Sequence, residues 1–260
     1  MQSEERAELL GLPFDRATMQ WAVDRCVSWC RGPRAAHTVI TVNASHVCMM
    51  RRDPELRGAC HAGDLILADG MPVVWTSRMR GSPLPERVSG CDLMGRLLAE
   101  AGQHALSVYF LGARREVVSA LAERCAQAYP GLVVAGFRDG YFSESDHPAI
   151  VDEIRRLKPH MLFVGMPSPF KETWCERHRD HLNVPVIMGV GGSFDVLAGH
   201  VRRAPRWMQA SGLEWSWRLM MEPRKMWRRY LSYNSEFLWL AGREIFGRRR
   251  PEPTTHLDVE

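Results

Sequence analysis

Long apolar runs are missing from this 260-residue sequence, and no uninterrupted stretch is long enough to span a bilayer. The N-terminal segment is charged and lacks an apolar signal-peptide core, so we expect no secretion signal. The seven cysteines are scattered without the spacing of a disulfide framework, which favours reduced thiols. With 45% hydrophobic and 25% charged residues, the composition is that of a globular protein, and we expect it in the cytoplasm.

Several signatures of common nucleotide-using enzymes are also absent. The sequence has no Asp-x-Asp triplet, although such paired carboxylates usually bridge Mg²⁺ or Mn²⁺ to a nucleotide diphosphate. It has no Tyr-x-x-x-Lys pair of the short-chain dehydrogenase kind and no complete Gly-x-Gly-x-x-Gly fingerprint. These absences argue against a nicotinamide enzyme, and we predict that neither a metal nor another cofactor takes part in the chemistry.

Charge and tryptophan are concentrated near the C-terminus. Residues 202–250 hold twelve Arg or Lys and four Asp or Glu, a net charge of +8, whereas the remainder has a net charge of −4. The same segment carries five of the nine tryptophans. It contains no recognisable nucleic-acid-binding module, so no nucleic acid partner is expected. Basic residues mixed with Trp and Met, without a spanning segment, are more typical of contact with a membrane surface.

Short, nearly continuous apolar runs alternate with amphipathic ones over the first 200 residues. Such runs are expected for strands buried on both faces of a parallel sheet. We predict six strands, at His37–Asn43, Asp64–Asp69, Leu106–Gly112, Leu132–Phe137, His160–Met166 and Val184–Gly192. Helical patterns separate them, most clearly at Arg115–Gly131 and Glu144–Pro159. This alternation predicts an α/β fold, a Rossmann-like parallel sheet of about six strands flanked by helices.

The pattern changes near residue 200. Beyond it no convincing strand remains, and the sequence is typical of two or three helices broken near Pro205, Gly212 and Pro223. We therefore predict a catalytic core at residues 1–200, a basic helical appendage at 201–250 and a disordered tail at 251–260.

Ligands bind beyond the carboxyl ends of the strands in an open parallel sheet. Thr41, Asn43 and Asp69 occupy such strand ends here. From position alone, Asp69 is equally well explained as a catalytic base or as a helix N-cap, for which Asp is a favoured residue. We expect Gly70 to allow a close turn that leaves the Asp69 carboxylate exposed.

Two further patterns are weaker. The run Gly189–Asp195, "GVGGSFD", is a Gly-rich turn whose amides at Gly191 and Gly192 can cradle a diphosphate, although by itself a tight structural turn explains it better. Cys175, His178 and His181 are spaced by three on a predicted helix. A partly exposed helix face explains this spacing better than a metal site does.

Arg218, Lys225 and Arg228 lie in the basic segment at spacings of seven and three. They share one helical face if the helix runs through Pro223 or restarts just after it. For surface cations in general, a solvated basic face is the commoner explanation.

Five ordered stretches together carry a resemblance to a known family. They are "TVNASHV", "LILADGMPVVW", "LPERVSGCDLM", "FVGMPSPFKETW" and the long run from "GVGGSFDVLAGHVRRAPRW" to "MEPRKMWRRYL". In this order they resemble the WecG/TagA/CpsF glycosyltransferases, glycosyltransferase family 26. The resemblance covers roughly residues 10–231, nearly the whole chain.

The resemblance implies an inverting, metal-independent glycosyltransferase. Such enzymes move a sugar from a UDP-sugar donor onto a sugar linked to polyprenyl diphosphate, at the cytoplasmic face of the cell membrane. Their products are bacterial cell-surface polymers, among them wall teichoic acid linkage units, enterobacterial common antigen, capsules and exopolysaccharides. We therefore expect a cytoplasmic protein peripherally associated with the inner face of the membrane. The donor sugar, an N-acetylmannosamine-type sugar or a hexose, and the oligomeric state, including a homo-oligomer, stay open.

Carried over residue by residue, the resemblance makes Asp69 the candidate base. Its strand-end pair falls on Thr41 and Asn43, and its motif arginine on Arg87. The basic residues that close over the site fall on Arg218, Lys225 and Arg228. With the Gly-rich turn, the predicted substrate-binding set is Thr41, Asn43, Arg87, Lys171, Gly191, Gly192, Arg218, Lys225 and Arg228.

This sequence departs from the family pattern at two of these positions. Lys171 in "SPFKETW" stands where the family often has Gln, which adds a cation near the donor or acceptor and leaves the sugar identity open. Lys225 stands where Arg is common, and lysine lacks the bidentate fork for phosphate.

Two other functions remain as alternatives. One is a UDP-sugar-modifying enzyme such as an epimerase, which needs a nucleotide cofactor site or different acid and base residues. The other is a non-catalytic membrane-docking scaffold that uses the basic, Trp-rich segment, but it leaves the motifs around Asp69 and Arg87 unexplained.

Overall fold

The computed structural model describes residues 6–205, 208, 214–221 and 223–247. Its centre is a six-stranded sheet of parallel strands in the order β4-β3-β8-β7-β5-β6. The strands are β3 (Thr38–Val42), β4 (Leu65–Ala68), β5 (Ser107–Gly112), β6 (Val133–Arg138), β7 (Met161–Gly165) and β8 (Val186–Gly189). The predicted α/β fold with a Rossmann-like parallel sheet is therefore confirmed.

An N-terminal hairpin, which the sequence analysis did not predict, precedes this sheet. Its antiparallel strands are β1 (Arg6–Leu9) and β2 (Leu12–Asp15). Leu10 and Gly11 both have positive φ, 54° and 76°, the conformation that the favoured two-residue hairpin turn requires. Asp15 Oδ2 accepts a 2.7 Å hydrogen bond from the Ile66 N–H, so the hairpin covers part of the outer edge of β4.

In the part of the chain from residue 6 to 200, nine α-helices connect and cover the strands. They are α1 (Met19–Arg31), α2 (Ala44–Met50), α3 (Pro54–His61), α4 (Met71–Met79), α5 (Gly90–Gln103), α6 (Arg115–Ala128), α7 (His147–Leu157), α8 (Phe170–Leu182) and α9 (Ser193–Leu197), all before residue 200. α1, α5 and α6 pack on one face of the sheet. α2, α3 and α4 pack on the other face over β3 and β4, and α7 and α8 pack there over β5 and β7. Apart from the partly exposed edge strand β6, the sheet is thus buried on both sides, as its apolar runs predicted.

Beyond residue 200 the described elements are helical, as predicted. A short helix spans Glu214–Met221, and a long one, called the C-terminal helix below, spans Pro223–Phe246. Phe237 and Ala241 of the C-terminal helix are buried in the apolar cluster formed by α2, α3 and α4. Arg80 at the end of α4 also forms a 3.1 Å ion pair with Glu244. The end of the C-terminal helix is therefore packed against the α/β core.

The predicted division into domains at residue 200 stays a prediction, and the predicted disordered tail at 251–260 lies outside the described residues. Of the helices among the described residues, none has an apolar window long enough to cross a bilayer.

Candidate active site

The carboxyl ends of four neighbouring strands bring three predicted site residues and Ser168 to one edge of the sheet. In the spatial order β4, β3, β8 and β7, these strands are followed by Asp69, Asn43, Gly191 and Ser168. Because the strands are parallel, the residues that follow them lie side by side at the edge where such sheets bind ligands.

Asp69 and Thr41 both lie against the first residue of α5, Gly90. A Cβ atom added to Gly90 would lie 3.0 Å from Thr41 Oγ1 and 3.6 Å from Asp69 Oδ2. The glycine therefore lets α5 approach these two oxygens closely. Asp69 is half-buried, and its backbone N–H donates to Val42 O over 2.9 Å, which ties the end of β4 to the end of β3.

The geometry of α4 distinguishes the two explanations of Asp69, a catalytic base or a helix N-cap. The N-cap of α4 is Gly70, and this helix has no side-chain cap hydrogen bond. The N-cap explanation of Asp69 is therefore wrong. The role of general base stays a prediction that this position favours.

Gly70 does not have the conformation expected for it. Its φ of −158° is extended backbone that any residue adopts, and an added Cβ would meet its neighbours at 3.6–3.8 Å, which is ordinary van der Waals contact. The expectation of a turn that needs glycine here is wrong. Gly191, by contrast, has a φ of +53°, in the left-handed region that favours glycine, while Gly192 caps α9 with a φ of −74°.

Asn43 serves as the N-cap of α2. Its Oδ1 accepts from the backbone N–H groups of Ser45, at 3.0 Å, and His46, at 3.2 Å. In return, His46 Nδ1 accepts from the Asn43 N–H over 3.5 Å, which completes a capping box. Because Nδ1 is an acceptor, the proton of the neutral His46 ring is assigned to Nε2.

A buried polar cluster surrounds Lys171. Its Nζ donates to Ser168 Oγ over 2.6 Å and forms an ion pair with Glu172 Oε1. His46 Nε2 lies 2.8 Å from Ser168 Oγ and 2.9 Å from Glu172 Oε1. We call Lys171, Glu172, Ser168 and His46 the lysine cluster. The ammonium of Lys171 therefore points into an internal ion pair, and its charge is balanced within the protein.

The electrostatics of Glu172 follow from this arrangement. Burial acts to raise the pKa of its carboxyl, but the hydrogen bond from His46 and the charge of Lys171 outweigh burial and lower that pKa to about 2. Glu172 is therefore ionised at neutral pH. Within the described residues its second oxygen, Oε2, is buried without a hydrogen-bond partner.

The space between Thr41 and the lysine cluster is narrow. It is lined by Thr41, Lys171, Glu172, Cys175 and Gly189, among others, and its water-accessible volume is about 10 Å³, room for roughly one water molecule. Thr41 and Lys171 are therefore closely packed neighbours and do not face each other across an open cleft.

Arg87 lies in the segment just before α5, beside the end of β4. Its neighbour Val88 donates its N–H to Ala68 O over 2.9 Å, so the segment before α5 runs along the end of β4. Arg87 approaches Asp92 on α5 at 3.5 Å. Arg203 binds the same carboxylate with two hydrogen bonds, at 2.5 and 2.7 Å.

The two arginines determine the charge state of Asp92. Burial acts to raise its pKa, but the hydrogen bonds and charge of Arg203, with a smaller contribution from Arg87, hold that pKa below the usual range. Two guanidinium groups therefore flank one carboxylate beside the N-terminus of α5.

The remaining predicted residues lie in the basic segment. Arg218 belongs to the helix Glu214–Met221, while Lys225 and Arg228 belong to the C-terminal helix. The structure does not describe the side chains of these three residues, so their closure over the site stays a prediction.

The sequence patterns did not predict a place in the site for His46, Ser168, Glu172, Asp92 and Arg203. A signal existed for His46, because Asn followed three residues later by a hydrogen-bonding side chain is a capping-box pattern. Ser168 lies two residues before α8, so no helical spacing predicts its 2.8 Å hydrogen bond to Glu172 in the first turn of that helix. No local pattern links Asp92 to Arg203, which is 111 residues away.

The candidate metal pattern on α8 does not form a cluster. Cys175 is buried in the core, His178 is half-buried and His181 is exposed. Among the residues that the structure describes, no group of three or more His, Cys, Asp or Glu side chains is placed to hold a metal ion.

Comparison with known proteins adds the family context. The family model described as "Glycosyl transferase WecG/TagA/CpsF family" matches residues 7–251. Three curated relatives carry the name N-acetylglucosaminyldiphosphoundecaprenol N-acetyl-beta-D-mannosaminyltransferase. The protein from Bacillus spizizenii (strain ATCC 23059 / NRRL B-14472 / W23) is 36% identical over 194 residues, which are 75% of this chain and 74% of the relative.

The other two relatives are similar to a comparable degree. The protein from Bacillus subtilis (strain 168) is 33% identical over 194 residues, 75% of each chain. The protein from Staphylococcus aureus (strain MW2) is 32% identical over 224 residues, 86% of this chain and 87% of the relative.

Proposed function

Because the chain belongs to the WecG/TagA/CpsF glycosyltransferase family, we propose that it moves a sugar from a UDP-sugar onto a polyprenyl-diphosphate-linked saccharide, with inversion at the anomeric carbon. The relatives named above act on an N-acetylglucosaminyl-diphosphoundecaprenol acceptor, by their names, and transfer N-acetylmannosamine. For this chain the proposed donor is UDP-N-acetylmannosamine or a UDP-hexose, and the product is a precursor of a bacterial cell-surface polysaccharide.

The position of Asp69 is the observation that carries this proposal. Inversion needs one base, opposite the leaving group, that takes the proton of the acceptor hydroxyl. Asp69 is half-buried at the carboxyl edge of the sheet, against Gly90 and close to Thr41. A carboxylate in that position suits the role of general base.

The departing UDP gains negative charge, which cations and amides must stabilise. The turn at Gly191 and Gly192 offers backbone amides at the same edge, two strands away from Asp69. Arg87 and Arg203 bring two guanidinium groups to Asp92, beside the first turn of α5. With no Asp-x-Asp triplet in the sequence, we propose that arginines, including Arg218 and Arg228, perform the task that a metal performs in other transferases.

The lysine cluster affects which donor sugar we propose for the site. Lys171 replaces an amide of the family pattern, but its charge is balanced by Glu172, so the cluster adds little net charge to the site. We therefore propose that the substitution changes shape and hydrogen bonding at the sugar more than it changes electrostatic attraction. Both an N-acetylated sugar and a plain hexose therefore remain proposed donor sugars.

The C-terminal helix supports peripheral membrane contact. Leu238, Trp239 and Phe246 on it are 71%, 53% and 86% exposed. The guanidinium groups of Arg51 and Arg243 lie 5.3 and 4.8 Å from the centre of the Trp239 ring. Exposed apolar side chains flanked by arginines suit the interface of an anionic bilayer, and we propose that the protein works at the cytoplasmic face.

The test is a reaction with purified protein, a panel of UDP-sugars and a short-chain, soluble lipid-linked acceptor. A transferase releases UDP only when both substrates are present, and mass spectrometry shows an acceptor enlarged by one sugar. An epimerase alters the UDP-sugar without the acceptor, and a scaffold does neither. The activity should survive excess EDTA, and a loss restored by Mg²⁺ would contradict the metal-independent mechanism.

A further inference from the structure

The lysine cluster joins three neighbouring strand ends. His46 lies on α2, which follows β3, and Ser168 and Glu172 follow β7. Between these two strands lies β8. The stem of Lys171 rests on its last residue, because a Cβ added to Gly189 would lie 3.0–3.3 Å from Lys171 Cδ, Cγ and Cε. The cluster thus links both neighbours of β8 and contacts β8 itself.

Stability alone is a weak explanation for this arrangement. Lys171, Glu172 and His46 are only 6%, 4% and 9% exposed. Removing a lysine and a glutamate from water costs several kcal/mol per ion in typical proteins, and such pairs often stabilise a fold no better than apolar residues would. Once formed, however, the pair holds its atoms in a narrow set of positions, because Lys171 is also hydrogen-bonded to Ser168, and Glu172 to Ser168 and His46.

His46 connects this pair to the strand-end residue Asn43. Its Nδ1 accepts from the Asn43 N–H, and its Nε2 proton is directed at Glu172 Oε1 and Ser168 Oγ. Lys171 Nζ lies 3.4 Å from His46 Nε2. With the proton on Nε2, this is an approach of two donors that share the acceptor Glu172 Oε1.

We infer that His46 is a positioning residue of the transferase site. It holds Glu172, Glu172 holds the ammonium of Lys171, and the stem of Lys171 supports the glycine turn that follows β8. The same ring supports Asn43 through Nδ1. His46 therefore fixes the distance between two elements that contact substrate in the proposed function, on which this inference rests.

The turn depends on the stem of Lys171. A Cβ at Gly191 would lie 3.9 Å from Lys171 Cε, so the stem passes beneath the first part of the turn. If Glu172 no longer anchors Nζ, the stem is free to take other rotamers, and the turn loses a fixed contact. Because Asp69 does not belong to the lysine cluster, donor binding should suffer more than the proton transfer.

The first measurement is steady-state kinetics of two substitutions. His46→Leu removes the hydrogen bonds of both ring nitrogens and should raise the donor KM about tenfold or more, with kcat changed by less than about threefold. His46→Gln retains a side-chain N–H donor near the Nε2 position and should restore most of the loss. The control is Tyr109→Phe, which removes a partly buried 2.8 Å hydrogen bond from β5 to Glu153 on α7 and should lower stability without raising the donor KM.

The second measurement needs no transferase activity. The chain has only three lysines, and Lys158 is exposed whereas Lys171 is buried. Acylation of the native protein with sulfo-NHS acetate, followed by peptide mass spectrometry, should label Lys158 at least about tenfold faster than Lys171. His46→Leu should accelerate labelling of Lys171 alone, and His46→Gln should leave it near the wild-type rate.

The two measurements separate the inference from the proposed function. Faster labelling of Lys171 in His46→Leu, in a protein that shows no transferase activity, would contradict the proposed function. It would still support the finding that His46 holds the lysine cluster together. Unchanged Lys171 labelling together with an unchanged donor KM would overturn the inference. If His46→Leu does not fold, Ser168→Ala replaces it, because it removes a partner of both Lys171 and His46 and should also accelerate Lys171 labelling.

Discussion

Arg203 donates to both carboxylate oxygens of Asp92, at 2.5 and 2.7 Å, and so connects the first part of the basic segment to the helix that begins at Gly90. Gly90 is also the point that Thr41 and Asp69 approach. One pair of residues thus ties the C-terminal part of the chain to the helix that borders the candidate base.

The Arg203–Asp92 pair should show measurable coupling. Its side chains are 24% and 34% exposed, so solvent screening limits its contribution to about 1 kcal/mol. A double-mutant cycle of Arg203→Ala and Asp92→Ala, read by urea denaturation, should give a coupling free energy near that value. Arg203→Lys should recover only part of it, since lysine cannot form the two-pronged contact. Strictly additive effects would mean that the two side chains do not interact in solution.

Gly90→Ala should damage activity without damaging the fold. The new methyl group would lie 3.0 Å from Thr41 Oγ1, tighter than ordinary contact, and 3.6 Å from Asp69 Oδ2. Since small displacements of reacting groups are costly, we expect kcat/KM to fall about tenfold or more. The matched control is Gly95→Ala on the same helix, where an added Cβ meets nothing within 4 Å. It should keep full activity and gain about 0.5–1 kcal/mol of stability.

Glu172 should make the free energy of unfolding depend on pH. Its pKa is about 2 in the folded protein against an ordinary value of 4.5. A carboxyl with a lowered folded-state pKa contributes stability that is complete above its unfolded pKa and is lost as pH falls through the folded one. Between pH about 5 and 2 the wild type should therefore lose on the order of 3 kcal/mol from this group.

The variant that tests this dependence is Glu172→Gln. At pH 7 it should be about 3–5 kcal/mol less stable, because the ammonium of Lys171 is left buried without its counter-charge. The difference in the free energy of unfolding between the variant and the wild type should become smaller as pH falls toward 2. Urea denaturation across this pH range measures this difference. A difference that does not change with pH would show that the fold does not stabilise the ionised form of Glu172.

Exposed side chains of the C-terminal helix should govern membrane binding. Trp239→Ser should weaken sedimentation with anionic vesicles about tenfold, because it removes an exposed aromatic ring flanked by arginines. Val133→Ser on β6 is the control, since Val133 is 50% exposed and Trp239 53%. Binding of the wild type should weaken as salt is raised. Equal weakening of vesicle binding in both variants would contradict a membrane contact through the C-terminal helix.

The fold was largely predictable because its signals are local. Strands such as β5 and β7 are buried on both faces, which leaves continuous apolar runs in the sequence. The hairpin of β1 and β2 was missed because each strand has four residues, and one of them contains Pro13. Strands this short give no reliable periodicity.

The site was predictable only in part, for a related reason. Asp69, Thr41 and Asn43 occupy strand ends, which the strand pattern itself locates. The lysine cluster depends on the strand order, because His46 meets Glu172, 126 residues away, only when β8 lies between β3 and β7. Alternation of strands and helices does not determine that order, so no sequence pattern joined these residues.

The turnover of Asp69→Asn tests the central claim most directly. The substitution keeps the shape of the side chain and removes its ability to accept the acceptor's proton. We expect kcat to fall by about 10²–10⁴-fold with a soluble lipid-linked acceptor, because that is the usual contribution of general acid–base catalysis. Donor affinity by calorimetry and the thermal unfolding midpoint should stay close to wild type. A variant that turns over at a near-normal rate would contradict the account, because Asp69 would then be a binding residue and not the base.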